Sequence, residues 1–487
     1  MNIAKQADAR AYPTITIVGG GFSGCMLATQ LLRLARGSVS VVLIDRGARP
    51  GRGVAFGTSF EGHLLNVRAR DMSAYPDLPD HFVKWAQRNY RSSAKPCDFL
   101  PRRTYGDYIE AQLREAAQSH PGKIRFVQQE AVSLRRTAIG TGQPIDLGLA
   151  SGETVVADKA VLALGNFPPG DLPLPGKPSD SRRYVADPWS ANASIDVGQD
   201  NSLLLIGSGL TSVDKVIELR ARGFEGIIHV LSRRGLLPQS HKWIAPSPSF
   251  WNADCPRTVR ELLRLIRSEV KAAEAEGGDW RSVIDSLRPV TEEIWRSLPP
   301  AEKRRFLRHL RTYWDVHRHR IAGRVADQLA QQMRRGKIQV HAGRITEYAE
   351  ERNAVAVTFR DRKSGLPVTL RVNRVINCTG PECDFRRVGS KLLTDLISKK
   401  LARPDELSLG LDVSDEGAVV DANGIPSDFL FALGPLCKGS LWETIAVPEI
   451  RVQAAELAKH LIASSVAPAV HVTDLALTSE ALVSQHL

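Results

Sequence analysis

The apolar residues of this chain fall into two kinds of run. Residues 14–18 read Thr-Ile-Thr-Ile-Val, continuous and β-branched, as a strand covered on both faces requires. A glycine-rich turn follows, then a helical pattern from Cys25 to about Ala35. A second β-branched run over 40–44 ends at Asp45. Strand, turn, helix and strand make a βαβ unit. Next come an irregular stretch over 47–79, a helical segment over 105–119 and a strand over 159–164 that closes on Gly165. A proline-rich link over 167–178 marks a boundary. Residues 202–206 open a second unit, with a glycine-rich turn, a helix to about Arg222 and a strand over 226–231. From about Pro256 to Arg335 the pattern is almost wholly helical. Strands return at 337–340, 372–377 and 428–433, followed by a helix over 449–463 and a short tail.

The predicted fold is α/β, with two Rossmann-like dinucleotide-binding domains. The first domain occupies 13–190 and resumes over 346–464. The second, over 191–345, splits it and carries a helical insertion at 250–336. Residues 465–487 form the tail.

The turns carry the chemistry. Gly19, Gly21 and Gly24 lie between a buried strand and a helix, and Asp45 ends the next strand. That combination is a full dinucleotide fingerprint. Gly19 permits the tight turn, and Gly21 lets the backbone approach a pyrophosphate at the helix N-terminus. Gly24 allows close helix–strand packing, and Asp45 accepts ribose hydroxyls. Phe22 and Ser23 contribute the first helical amides. The second fingerprint is Gly207, Gly209 and Ser212, with serine in the last glycine position. Its next strand ends in Ser232-Arg233-Arg234 instead of an acid. Two arginines and a hydroxyl suit a 2′-phosphate, hence NADPH. Gly165 and Gly380, each just after a strand, are expected at the mouths of the two units.

Composition narrows the picture. The chain has 487 residues, 43% hydrophobic and 24% charged, ordinary for a globular enzyme of two or three domains. No apolar run is long enough for a membrane span, and the first residues lack the apolar core of a secretory signal. The six cysteines are scattered without CxxC spacing. A cytoplasmic protein without a metal site is expected. Cys378 and Cys383 share the CxxxxC spacing of flavin disulfide reductases, but they follow a late strand instead of the first acidic one. Net charge is +12, and residues 257–337 hold 19 Lys/Arg against 11 Asp/Glu. No nucleic-acid-binding module accompanies this charge, so it reads as a solvated helical face or an attraction for anionic NADPH and substrate. His317 and His319, two apart on a helix, point to different sides and make no metal pair.

A family resemblance sharpens the reading. Gly51-Arg52-Gly53-Val54-Ala55-Phe56-Gly57-Thr58, His63-Leu64-Leu65-Asn66-Val67 and Met72-Ser73-Ala74-Tyr75-Pro76-Asp77 resemble the bacterial FAD/NAD(P)-binding protein family. So do Ser232 through Pro238, Trp314 through Arg320, and Leu441-Trp442-Glu443 through Val447-Pro448-Glu449. The segment from Asn66 to Asp77 is also similar to flavin-containing monooxygenases, as is the run from Gly434-Pro435-Leu436 to Gln453-Ala454. That likeness implies FAD in the first unit, with Asn66 beside both flavin and nicotinamide, positioned to hydrogen-bond the oxygenated flavin. It adds Arg46, Arg52, Gly53, Val67, Met72, Gly434, Trp442 and Val447 as cofactor contacts, and it points the N-terminus of the last helix at the flavin. The link between domains reads Pro175-Gly176 and then Arg183-Tyr184, without the histidine of Baeyer–Villiger enzymes.

The expected function is an NADPH-dependent FAD oxidoreductase. Its leading form is a monooxygenase using molecular oxygen on a small polar or acidic metabolite, at an amine nitrogen, with Arg318 or Arg320 binding an anionic substrate or the NADPH phosphate. Its rivals are a flavin reductase serving a partner and a non-enzymatic FAD-binding redox sensor.

Overall fold

The computed structural model describes residues 12–136, 143–190, 193, 202–245 and 247–466. Strand β1 (Thr14–Val18), helix α1 (Phe22–Ala35) and strand β2 (Ser40–Asp45) form the first βαβ unit. They lie in a six-stranded sheet ordered Ala418–Val420, Pro426–Ala432, Lys159–Leu162, β1, β2, Ile124–Gln128. All neighbours in it are parallel except the edge strand Ala418–Val420. Alternate residues of one strand serve opposite faces: Val41 and Leu43 join one core, Val42 and Ile44 the other. This is why the strand is uninterruptedly apolar in sequence. A small antiparallel sheet of Ala131–Arg136, Ile145–Leu149 and Thr154–Ala157 is inserted in this unit.

The second unit repeats the plan with β3 (Leu203–Ile206), α2 (Leu210–Ala221) and β4 (Ile228–Ser232). Leu203 and Leu205 face one core, Leu204 and Ile206 the other. Three expectations about boundaries are corrected. Strand Arg374–Asn377 pairs with β3, and Tyr184–Val185 pairs with it in turn. The chain therefore enters the second sheet by Tyr184 and stays in it to Asn377, instead of leaving at 345. Strand Ile338–Glu350 begins parallel to β4 and continues into an antiparallel hairpin with Val355–Asp361. Helix Gly323–Arg334 belongs to the dinucleotide unit and not to the insertion. Its Val325 and Leu329 pack in one core with Leu203, Val213 and Ile228. An apolar run announces a buried strand or helix but not the sheet that receives it, so these limits depend on long-range pairing.

The insertion proper comprises Val259–Ala275, Trp280–Ser286, Thr291–Ser297, Pro300–His309 and Arg311–Arg318. It has its own core, which includes Trp295 and also Trp442 from the C-terminal part of the chain. Much of its positive charge is spent in ion pairs, among them Arg288–Glu449, Arg296–Glu292 and Arg305–Glu302. No helix among the described residues is long and apolar enough to cross a membrane.

The two turns differ at one instructive position. A Cβ on Gly24 would lie 1.8 Å from the Gly19 carbonyl oxygen. In the second unit the equivalent Ser212 donates its hydroxyl to the Gly207 carbonyl at 2.6 Å. The spacing is wide enough there to turn a collision into a hydrogen bond. Gly24→Ala is therefore expected to destabilise the protein by on the order of 1–3 kcal/mol through overpacking. Ser212→Gly is expected to cost about 1 kcal/mol. Denaturant unfolding of the two variants checks the ranking, and equal losses would refute it.

Candidate dinucleotide sites and the junction between them

Both turns are built by the same steric device. Gly19 has φ +112° and Gly207 φ +108°. A Cβ on Gly19 would lie 2.3 Å from the Ala163 carbonyl oxygen; one on Gly207 would lie 2.4 Å from that of Cys378. Glycine is obligatory at both, for conformation and for space.

Gly21 and Gly209 are different. Their backbones are extended, with φ −73° and −83°. A Cβ on Gly21 would meet only the Gly53 Cα, at 3.8 Å, and one on Gly209 would meet nothing within 4 Å. Neither backbone nor packing demands glycine there. What the absent side chain leaves is room at the N-terminus of a helix whose first amides have no side-chain cap. That is the cradle an anionic pyrophosphate fits.

Around the first cradle the structure gathers Gly19, Gly21, Phe22, Ser23, Gly24, Asp45, Gly53 and Gly434. The Asp45 carboxylate accepts from the Gly20 amide at 2.5 Å and the Gly47 amide at 2.6 Å, which closes the loop onto the turn. The Gly51 amide donates to the Gly20 carbonyl. Gly434, at φ +77°, lies against Ser23, whose Oγ would be 2.6 Å from a Cβ there. Gly165, also at positive φ, opens on free space beyond the strand end. Arg46 is exposed. Arg52 is committed to Asp107 and Glu110, so it shapes the loop before Gly53 instead of facing the cradle with a free charge.

Around the second cradle, the Ser208 hydroxyl donates to the Leu236 carbonyl at 2.6 Å, and the Gly235 amide donates to Ser232 Oγ at 2.9 Å. The structure separates the two arginines. Arg234 donates to the Tyr313 hydroxyl and the His309 carbonyl, tying the strand end to the insertion. Arg233 is exposed, and no partner holds it among the described residues. Gly380, at φ +92°, has open space where a Cβ would stand. Cys378 is buried beneath this turn, its thiol pushed up to about 12 by burial, while Cys383 is half-buried and both are free thiols.

The junction between the units was not visible in sequence. Leu64, from the first unit, packs in the core of the second. Arg102 donates to the Leu64 carbonyl and pairs with Asp214 of α2 at 2.8 Å. His63 Nε2 faces the Asp214 carbonyl at 3.3 Å. His241 Nε2 donates to the Asn66 carbonyl at 3.0 Å, and Arg68 donates to the Lys242 carbonyl at 2.7 Å. Asn66 is thus clamped by its backbone, while its side-chain amide makes no hydrogen bond among the described residues. Val67 packs against the first core, and Met72 is buried in it. Arg451 of the C-terminal helix (Val447–Val466) donates to the Ser73 carbonyl, bringing that helix to the same segment.

Arg318 and Arg320 occupy distinct places. Arg320 is 3% exposed and pairs with Asp285. Arg318 lies 3.4 Å from Glu443 and 3.5 Å from Glu449, in the first turn of the C-terminal helix. Trp442 stacks on Trp295 at 4.6 Å, so it belongs to the insertion's core. No group of His, Cys, Asp and Glu among the described residues is arranged to hold a metal.

Residues 16–167 match the model of a family described as FAD-NAD(P)-binding. A search of curated proteins with the sequence gave no match. Solved structures extend the fold to nearly the whole chain. L-lysine 6-monooxygenase from Pseudomonas syringae shares 15% identity at a TM-score of 0.65, covering 92% of this chain and 99% of that one. The desferrioxamine-pathway cadaverine monooxygenase from Erwinia amylovora shares 12% at 0.64, covering 93% and 95%. An ornithine N-hydroxylase from Kutzneria sp. 744, solved with NADP+ and L-ornithine, shares 12% at 0.62, covering 92% and 99%. Identities this low establish a shared fold.

Two predictions follow from the geometry. With Arg233 free and Arg234 tethered, Arg233→Ala should lower kcat/KM with NADPH about 10- to 100-fold, as for a lost charge-assisted hydrogen bond, and leave NADH nearly unchanged. Equal losses with both nucleotides would make the arginine structural. His241 is held down to about 4 by burial and by nearby Arg320, so it is neutral at pH 7. In the unfolded chain it takes a proton near pH 6.5. The folded form's advantage is complete above that value and is lost as pH falls toward 4. His241→Gln should make the loss of stability over this range shallower in pH-dependent unfolding. An unchanged slope would contradict the buried neutral state.

Proposed function

We propose that the protein is an FAD- and NADPH-dependent monooxygenase that oxygenates an amine nitrogen of a small molecule. The observation that carries this reading is the pairing of two glycine cradles through a junction that clamps Asn66 by its backbone and leaves its amide free. In this assignment FAD would accept hydride from NADPH and, once reduced, activate molecular oxygen.

The chain's own residues then have distinct tasks. Phe22 and Ser23 amides hold the flavin pyrophosphate, Gly21 leaves room for it, and Asp45 holds the ribose. Val67, Gly165 and Gly434 would line the site of the ring, with Met72 packed behind them. The N-terminus of the C-terminal helix at Val447 would present its positive dipole to the flavin site, where it favours negative charge. Gly207, Gly209 and Ser212 hold the second pyrophosphate, with Ser232, Arg233 and Gly380 at its mouth. The Asn66 amide would be a hydrogen-bond donor on the reacting side of the flavin site. The FAD unit on this reading runs from 13 to about Arg183 and resumes after Gly380, with the NADPH unit between them. The likeness in fold to an ornithine N-hydroxylase, and to monooxygenases of lysine and cadaverine, supports nitrogen as the oxygenated atom.

The test is aerobic turnover of the FAD-loaded protein with NADPH and a panel of amines, measuring hydroxylated product and hydrogen peroxide together. Product formation coupled to NADPH is expected with at least one amine. Asn66→Asp places a negative charge where a donor is needed, in a water-poor site. It should divert most reducing equivalents to peroxide while FAD content and flavin reduction change little. Wild-type protein that turns all NADPH into peroxide, whatever the amine, would favour a reductase. Protein that consumes no NADPH would favour a redox sensor.

A further inference from the structure

The insertion helices line a half-open cavity of about 600 Å³ that none of the assignments above uses. Five of the chain's eight tryptophans line it: Trp251, Trp280, Trp295, Trp314 and Trp442. Helix Val259–Ala275 adds Leu263 and Ile266. The charged lining residues are confined to Arg267 and Glu274, both exposed. A space of this size and lining fits a small organic molecule with an apolar body.

Behind one wall of the cavity lies a buried ion pair with unmet hydrogen-bonding atoms. The Trp314 indole lines the cavity and donates to Glu443 Oε1 at 3.2 Å; Trp442, the residue before Glu443, lines it too. Behind them Arg318 is 8% exposed and Glu443 6%. They face each other at 3.4 Å, yet Arg318 Nε and Nη2 and Glu443 Oε2 are buried without a hydrogen bond among the described residues. A buried carboxylate oxygen left in this state is costly, and a ligand's ammonium donor would satisfy Glu443 Oε2. Arg288 and Arg318 both reach Glu449, so the cluster stands at the first turn of the C-terminal helix, the end assigned to the flavin.

We propose that this cavity holds the apolar, preferably aromatic, body of the substrate, with an ammonium head that donates to Glu443 Oε2. The substrate class is then a bulky arylalkyl amine and not a small acidic metabolite. The inference rests on the oxygenating reading for its consequence, but the binding site itself is made of protein alone.

The FAD-loaded protein is titrated with 2-(1-naphthyl)ethylamine, following tryptophan quenching and heat, with L-lysine as comparator. Saturable binding at one per chain is expected, at least tenfold tighter than for L-lysine. Leu263→Trp, which fills the cavity, should weaken it at least tenfold without changing FAD content or flavin reduction by NADPH. Ile266→Phe, a milder filling, should act in the same direction if Leu263→Trp does not fold. Glu443→Gln should weaken the amine more than the uncharged 2-(1-naphthyl)ethanol. Affinity equal to that for L-lysine, or binding indifferent to both fillings, overturns the proposal. Tight binding without oxygenated product would leave the cavity assignment standing and remove the oxygenating reading. Oxygenation of small amines that neither filling affects would do the reverse.

Discussion

A carbonyl oxygen at the end of a neighbouring parallel strand occupies the place where a side chain of Gly19 or Gly207 would be. This close approach forces each chain to turn sharply and to start its helix directly over the strand end. Both helix N-termini then open at the carboxyl edges of their sheets, where the ligands of such sheets bind. The glycines that follow, Gly21 and Gly209, contribute by the room they leave: a Cβ on the first would only touch the Gly53 Cα, and one on the second would meet nothing. The two kinds of glycine separate what the protein needs for its own packing from what it reserves for a ligand.

Two such units would be independent binding modules if nothing set them in register. The segment from His63 to Met72 does so. Leu64 is buried in the second core, Met72 in the first, and Asn66 lies between them under the hydrogen bond from His241. The Arg102–Asp214 pair is largely buried, so its contribution depends on the accompanying hydrogen bond to the Leu64 carbonyl and is strongest where water is excluded. A change in this segment would disturb the relation between the two nucleotides before it disturbed either site.

How much of this could be read in the chain depends on distance along it. The glycine turns, Asp45 and the alternating cores of β1 and β3 are local, and their roles follow from spacing and from the geometry of a βαβ unit. The partners of Arg52, Arg234 and Arg102 are tens to over a hundred residues away or lie on another helix, and no local pattern announces them. Arg233 and Arg234 are indistinguishable as neighbours in sequence; only the approach of Tyr313 and the His309 carbonyl tells them apart. Trp442 belongs by its neighbours in the chain to a flavin-contact loop, yet its ring packs on Trp295 of the insertion. The spacing of Ser212 from Gly207 was legible as a departure from glycine, and its hydroxyl shows why the departure is tolerated.

The account stands on direct hydride transfer between nucleotides held in the two cradles. Anaerobic mixing of the FAD-loaded protein with NADPH measures this without reference to substrate or oxygen. Loss of the oxidised-flavin absorbance at one NADPH per FAD, in a single binding-saturable phase, is the result the account predicts. A protein that retains FAD and binds NADPH, yet shows no flavin reduction, would contradict it.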